Sequence, residues 1–372
     1  MTNKIVELTK ELIAIPSYVS SDIDEKVIGE FVFTYLKKNY PWLKVRKQIV
    51  KNGRFNIVAT DGYPVKMIVC GHLDTVNPGS AWRFNPLKPS IKGNRLYGLG
   101  ATDMKGSLAA LLVALRNFSQ TRGLLLLFYI DEEYNFMGMR KFILSYQLKE
   151  KPSLILSIDG GDLKITNDCR GLIDLDFEVI GKAGHAALPM SGRNALLATT
   201  ETMTELTKVL KRNYSEPILG ASVCNLAILK TDNQSRNVIP EQAVAKIDVR
   251  PASTKLDGRT LVKIIRQTLT AQQTRIGRFR IINDLGPMIS QKRGLKEFEE
   301  IVETTIGKVA YDKPEEGGYV DCAMLYEKYR VPTVCFGPGP LKMAHQSNEY
   351  VYIGDLEKCA QVFAGTIKQY CA

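Results

Sequence analysis

The stretch Val65-Lys66-Met67-Ile68-Val69-Cys70-Gly71-His72-Leu73-Asp74-Thr75-Val76 decides the fold. Residues 65–70 are apolar except for Lys66, the pattern of a mostly buried strand. The run ends directly at Gly71-His72, so a histidine and then Asp74 stand where the strand stops. Two more apolar runs end in the same way. Residues 123–130 stop at Asp131-Glu132-Glu133, and residues 154–158 at Asp159-Gly160-Gly161. In open α/β sheets, ligands bind outside the carboxyl ends of strands, so the three ends predict one site.

Outward from this centre, residues 4–15 and 26–38 repeat apolar positions at helical spacing, and Pro16 ends the first pattern. Residues 43–49 and 55–59 read as strands, and the Ala- and Leu-rich 104–118 as a helix. The fold class expected is α/β: a mixed, mostly parallel sheet flanked by helices. From about Gly171 the texture changes. Strand-like 172–180, helical 195–210, strand-like 221–229 and 243–249, and helical 260–273 predict an inserted α+β domain. The expected division is a catalytic domain of residues 1–170 and 284–372, interrupted by a lid or dimerisation domain of residues 171–283. Residues 298–306 and 354–369 read as helices, and 331–336 as a strand before Gly337-Pro338-Gly339-Pro340.

A chain of 372 residues exceeds the length at which one core usually stops growing, which agrees with two domains. The net charge of +11 is dispersed, with no basic run interleaved with aromatics. Nucleic acid is therefore not an expected partner, and a mild preference for anionic substrates is. Seven scattered cysteines without a C-x-x-C pair point to reduced thiols and a cytoplasmic protein. The first residues carry Glu7 and Glu11 rather than a secretory h-region. The longest apolar run, residues 124–130, is too short to span a bilayer, so no membrane association is expected.

The chain has three histidines, His72, His185 and His345, each beside Gly or Ala in a loop-like segment. The acids that could join them are Asp74, Asp103, Glu132, Glu133 and Asp159. Several of these follow buried strands, where an unpaired charge is costly. A cation removes that cost, and imidazole with carboxylate suits Zn²⁺, with Mn²⁺ or Co²⁺ as substitutes. Two phosphate-binding look-alikes fail. Gly98-Leu99-Gly100-Ala101-Thr102-Asp103 has Asp at the sixth position of a dinucleotide fingerprint, and Lys105-Gly106-Ser107 inverts the P-loop order.

Five ordered segments carry a resemblance over nearly the full length: residues 71–76, 98–106, 131–133, Gly181-Lys182-Ala183-Gly184-His185, and Ala344-His345-Gln346-Ser347-Asn348-Glu349. With these, the chain resembles the dizinc metallopeptidase family of acetylornithine deacetylase, succinyl-diaminopimelate desuccinylase, aminoacylase and glutamate carboxypeptidases. The resemblance implies two divalent metals, with Asp103 bridging them. His72 and Asp159 would complete one metal site, and Glu133 and His345 the other. Glu132 would be the general base, and Asp74 would orient His72. His185 would reach the partner subunit's active site in a homodimer formed through the lid. Asn237 and Arg250 would contact the substrate's α-carboxylate, and Gly317-Gly318 and Gly337-Pro338-Gly339 would line the leaving-group pocket.

The reaction implied is hydrolysis of the amide bond of a small N-acyl amino acid. Asp159 stands where the acylases more often have Glu and the di- and tripeptide aminopeptidases Asp, so a di- or tripeptide aminopeptidase or a carboxypeptidase of the same family remains the alternative. A non-catalytic metal-binding protein on this scaffold is the third alternative.

Overall fold

The computed structural model describes residues 2–290, 294–314 and 318–372; Gly317 lies outside them. The chain divides into two compact units. One comprises Met1–Asn167, Ser290–Asp312 and Val320–Ala372, and the other Asp168–Ile289 and Lys313–Tyr319.

The first unit is built on a six-stranded sheet. Its order is Lys44–Lys51, Arg54–Thr60, Leu124–Tyr129, Met67–His72, Leu154–Ser157 and Thr333–Cys335. The first two junctions are antiparallel and the other three parallel. The fold is therefore α/β with a mixed, mostly parallel sheet. Leu124–Tyr129 is buried at every position, as its unbroken apolar run requires. Each such side chain contributes roughly 1.5–3 kcal/mol on leaving water.

Register brings the strand ends together. His72 lies beside Tyr129, and Cys70 beside both Leu127 and Ser157. Alternation then sorts the faces. Met67, Val69, Leu126 and Leu156 enter the large core that also takes side chains from helices Thr2–Ala14, Lys26–Asn39, Gly106–Ala114 and Ile353–Cys371. Cys70 and His72 point to the opposite face. The helix expected over 104–118 is split. A π-type turn, Ala101–Lys105, precedes Gly106–Ala114, and a 3₁₀ turn, Leu115–Asn117, follows it.

The second unit is α+β. Its four-stranded antiparallel sheet runs Val223–Lys230, Gln242–Arg250, Leu172–Ile180, Arg275–Leu285. Ile173, Leu175, Phe177 and Val179 alternate with half-buried Asp174, Asp176 and Glu178, and pack with residues of Ala195–Asn213 and Gly258–Ala271. Asn194 and Asp257 cap the two helices by accepting backbone N–H bonds. The unit reaches beyond residues 171–283 because Asp168–Cys169 pairs with Met288–Ile289, tying the entering and leaving chains together. No helix among the described residues is long and apolar enough to cross a membrane.

Candidate active site

His72 is the last residue of its strand and is almost fully buried. Glycine precedes it for a steric reason: a Cβ on Gly71 would lie 2.3 Å from Met104 Cε. His72 Nδ1 lies 3.0 Å from the backbone oxygen of Asp74, which leaves Nε2 facing the acids. The Asp74 carboxylate is 3.8 Å from Nδ1 and has another task. It accepts the backbone N–H groups of Glu132 at 3.2 Å and Glu133 at 2.9 Å. The carboxylate expected to orient His72 thus serves the neighbouring strand end instead. The Asp74 carbonyl orients His72, and its carboxylate fixes the end of the neighbouring strand.

Asp103 stands between the two histidines. Its Oδ1 is 2.9 Å from His72 Nε2, and its Oδ2 is 3.2 Å from His345 Nε2. Asp159 Oδ1 lies 3.8 Å from His72 Nε2, and Glu133 Oε2 lies 2.9 Å from His345 Nε2. The donor atoms of His72, Asp103 and Asp159 fall within 4.8 Å of one another, as do those of Asp103, Glu133 and His345. The two triads share Asp103. Glu132 forms a third such group with His72 and Glu133.

Local backbone conformation makes these positions possible. Gly100 has φ +77° before the turn that presents Asp103, and His345 itself has φ +61°. Gly160 packs against the 336–337 backbone, where a Cβ would meet Phe336 N at 2.7 Å. Asp162 and Leu163 donate to the Gly339 and Gly337 carbonyls. The 337–339 backbone therefore braces the turn that carries Asp159.

Two further residues bear on the site and carried no signal of their own in the sequence. Buried Glu349 accepts N–H bonds from Gly100 and Thr102 at 2.8 Å and from Asp103 at 3.0 Å. Buried Asp321 accepts the Tyr129 hydroxyl at 2.6 Å. Glu349 ends the segment of residues 344–349, but nothing in sequence links it to residues 100–103, some 250 positions earlier.

The electrostatics are those of crowded anions. Burial pushes Glu132 well above the usual carboxylate range; His72 opposes this, and Asp321, Asp159 and Glu133 reinforce it. Burial likewise lifts Asp74 and Glu349 to about 8. Asp103 is held low, because hydrogen bonds from His345 and His72 outweigh its burial. His345 is pushed up to about 10 by Asp103 and Glu133. For His72, burial opposes protonation, but Asp103 and Asp159 more than offset it. So many carboxylates converging on two imidazoles need positive charge to neutralise them. The mixed N and O donors of the two triads fit divalent cations.

The three site candidates from residues 171–283 lie in the second unit. His185 is exposed, and its Nδ1 accepts the Ala187 N–H at 3.1 Å. The Asn237 carbonyl accepts the Ala186 N–H at 2.9 Å, so the structure brings the His185 and Asn237 segments together. Arg250 grips Asp248 with Nε at 2.7 Å and Nη2 at 2.8 Å, so its fork is already engaged within its own strand.

The sequence profile described as Peptidase family M20/M25/M40 matches residues 68–369. The chain belongs to this family. As an M20/M25/M40 peptidase it is an enzyme, a hydrolase. It is 27% identical to the acetylornithine deacetylase of Photorhabdus laumondii over 390 residues, covering 98% of this chain and 97% of that one. It is 30% identical to the succinyl-diaminopimelate desuccinylase of Erythrobacter litoralis over 310 residues, covering 79% and 78%. Among solved structures, the M20 metallo-carboxypeptidase of Sulfolobus solfataricus superposes with a TM-score of 0.79 at 18% identity, covering 99% of both chains. At that identity the likeness establishes the shared fold.

Proposed function

We propose that this M20/M25/M40 enzyme hydrolyses the amide bond of a small N-acyl amino acid, as the names of its deacetylase and desuccinylase relatives describe. The observation that carries the reading is Asp103, whose two oxygens face His72 and His345 separately and so join two donor triads. His72, Asp103 and Asp159 would hold one divalent cation, and Asp103, Glu133 and His345 a second. Zn²⁺ is the ion proposed, with Co²⁺ or Mn²⁺ able to replace it. Bound there, the ions supply Lewis acidity for activating water and polarising the scissile carbonyl.

Glu132 is the proposed general base. It belongs to neither of the two triads joined by Asp103, so its carboxylate stays available to accept a proton. It takes the proton of the attacking water and passes it to the leaving amine nitrogen. Asp74 holds the Glu132-Glu133 backbone in place during this exchange. In the second unit, His185 is proposed to help hold the developing oxyanion, and Asn237 and Arg250 to bind the substrate α-carboxylate. For Arg250 this requires exchanging Asp248 for the ligand, a swap between two bidentate carboxylate partners.

We place the enzyme in the cytoplasm, in keeping with its seven unbridged cysteines, and propose a homodimer formed through the second unit. The outer strand Val223–Lys230, which exposes Val223 and Ile228, supports that assembly.

The deciding experiment is turnover by metal-loaded enzyme on N-acetyl and N-succinyl amino acids beside unblocked di- and tripeptides. Hydrolysis of the blocked compounds alone is expected. A requirement for a free α-amine would transfer the reading to a di- or tripeptide aminopeptidase, the alternative that Asp159 favours.

A further inference from the structure

Three charged side chains are buried together beside the acids: Glu25 at 1% exposure, Arg54 at 9% and Asp131 at 1%. Arg54 holds Glu25 through Nε at 2.7 Å and Nη2 at 2.5 Å, and reaches Asp131 Oδ1 from Nη2 at 2.8 Å. Glu25 Oε1 in turn accepts the Asp131 backbone N–H at 3.1 Å. One guanidinium thus ties down two carboxylates, and one of those carboxylates also fixes the main chain of the other residue.

As a stabilising device the arrangement is poor. Burying three charges is costly, and well-packed apolar side chains often do as well or better. Its placement points elsewhere. Asp131 has φ +67°, a left-handed conformation uncommon for a residue with a Cβ. It stands two residues beyond the strand Leu124–Tyr129, where the chain enters a turn. The Asp131 carbonyl accepts the N–H groups of Phe136 at 2.7 Å and Asn135 at 3.3 Å. The next two residues are Glu132 and Glu133, whose own N–H groups are held by Asp74. The pair of acids is therefore gripped on both sides, by Asp74 on their own amides and by Glu25 and Arg54 on the residue before them.

We propose that Glu25 and Arg54 are positioning residues for the hydrolytic reaction. They hold Asp131 in its left-handed conformation, and so aim Glu132 at the attacking water and Glu133 at its cation. The proposal rests on the function proposed above.

The test compares full-length wild type with Arg54→Lys and Glu25→Gln, alone and combined, reading kcat, KM, Zn²⁺ affinity by chelator competition, and melting temperature. A lysine keeps the charge but cannot grip Glu25 and Asp131 with a planar fork. The expected result is a kcat lower by about 10–100-fold, since small displacements of reacting groups cost that much. KM should stay within about threefold, and Zn²⁺ should bind about tenfold more weakly. The double variant should be little worse than either single one, because both act through Asp131. Variants that melt earlier yet keep wild-type kcat and Zn²⁺ affinity would overturn the proposal and leave a purely structural ion cluster. If Arg54→Lys does not fold, Glu25→Gln preserves side-chain size and the same readings apply. Zn²⁺ affinity needs no substrate, so the positioning role is judged even if no amide on the panel is cleaved.

Discussion

The carboxylate of Asp74 accepts the backbone N–H of Glu133 at 2.9 Å, across two strands that are parallel neighbours in the sheet. A side chain at the end of one strand thereby sets the direction of the chain leaving the next. Asp74→Ala removes the acceptor for two part-buried N–H groups. Such hydrogen bonds contribute about 0.5–1.5 kcal/mol each, so a lower denaturation midpoint is expected together with a kcat loss of about 100-fold. Asp74→Asn retains one carbonyl oxygen and should fall between the two. Denaturant titration and steady-state kinetics on the three proteins check the order.

Glu132 carries the proton in the proposed mechanism without belonging to either cation triad. Glu132→Gln is nearly isosteric and should lower kcat by about 10²–10⁴-fold. Metal analysis of the purified variant should still find two ions per chain. Loss of an ion would make Glu132 a ligand rather than a base.

Glu349 gathers three backbone N–H groups of the turn that presents Asp103. Substitution of groups that orient ligands typically weakens metal binding by about 10–100-fold. Glu349→Ala should therefore surrender metal to a chelator at correspondingly lower concentration than wild type. Stripping metal from the wild-type enzyme should also lower its melting temperature, because the gathered carboxylates lose their counter-charge. Re-addition of Zn²⁺ should restore both stability and turnover, which a thermal-shift titration would follow.

Asp284, in the second unit, offers a pH test away from the metal centre. Burial raises its carboxyl above the ordinary 3.8, against the N–H bond from Gly258 at 2.9 Å. The folded state then holds the proton more tightly than the unfolded chain does. Its contribution is most favourable at low pH and declines as pH climbs from 3.8 through the raised value, beyond which the loss is complete. Asp284→Asn keeps the acceptor for Gly258 and removes the titration. Melting temperatures across this range should show the variant gaining on wild type as pH rises. A constant difference would show that the carboxyl does not titrate differently in the two states.

The central strands and their chemistry were legible because burial on both faces leaves an unbroken apolar run, and the residue that ends the run is conspicuous. His72, Glu132, Glu133 and Asp159 could be picked out in that way. The supporting groups were not legible. Glu349 acts on residues 100–103 and Arg54 on Asp131 through contacts far apart in sequence, and each alone reads as an ordinary surface charge. The division of labour within Asp74 was hidden for another reason: it is the carbonyl that faces His72, and backbone atoms leave no mark in the sequence. The helix expected over 104–118 came out broken because Asp103 and Met104 leave helical geometry, with φ −121° and −132°. The turn that presents the shared carboxylate thus takes the place of the helix's first turn.

The bracing of Asp103 by Glu349, with His345 on its Oδ2, has a consequence for synthesis of the chain. Both partners lie in the final tenth of the polypeptide, whereas Asp103 is translated early. A nascent chain, or one terminated before residue 345, presents the acids with neither their second imidazole nor the carboxylate that shapes their loop. On the proposed ligand assignment, metal loading would wait for these last residues, and truncated products should fail to retain the paired ions even where the central sheet has begun to form.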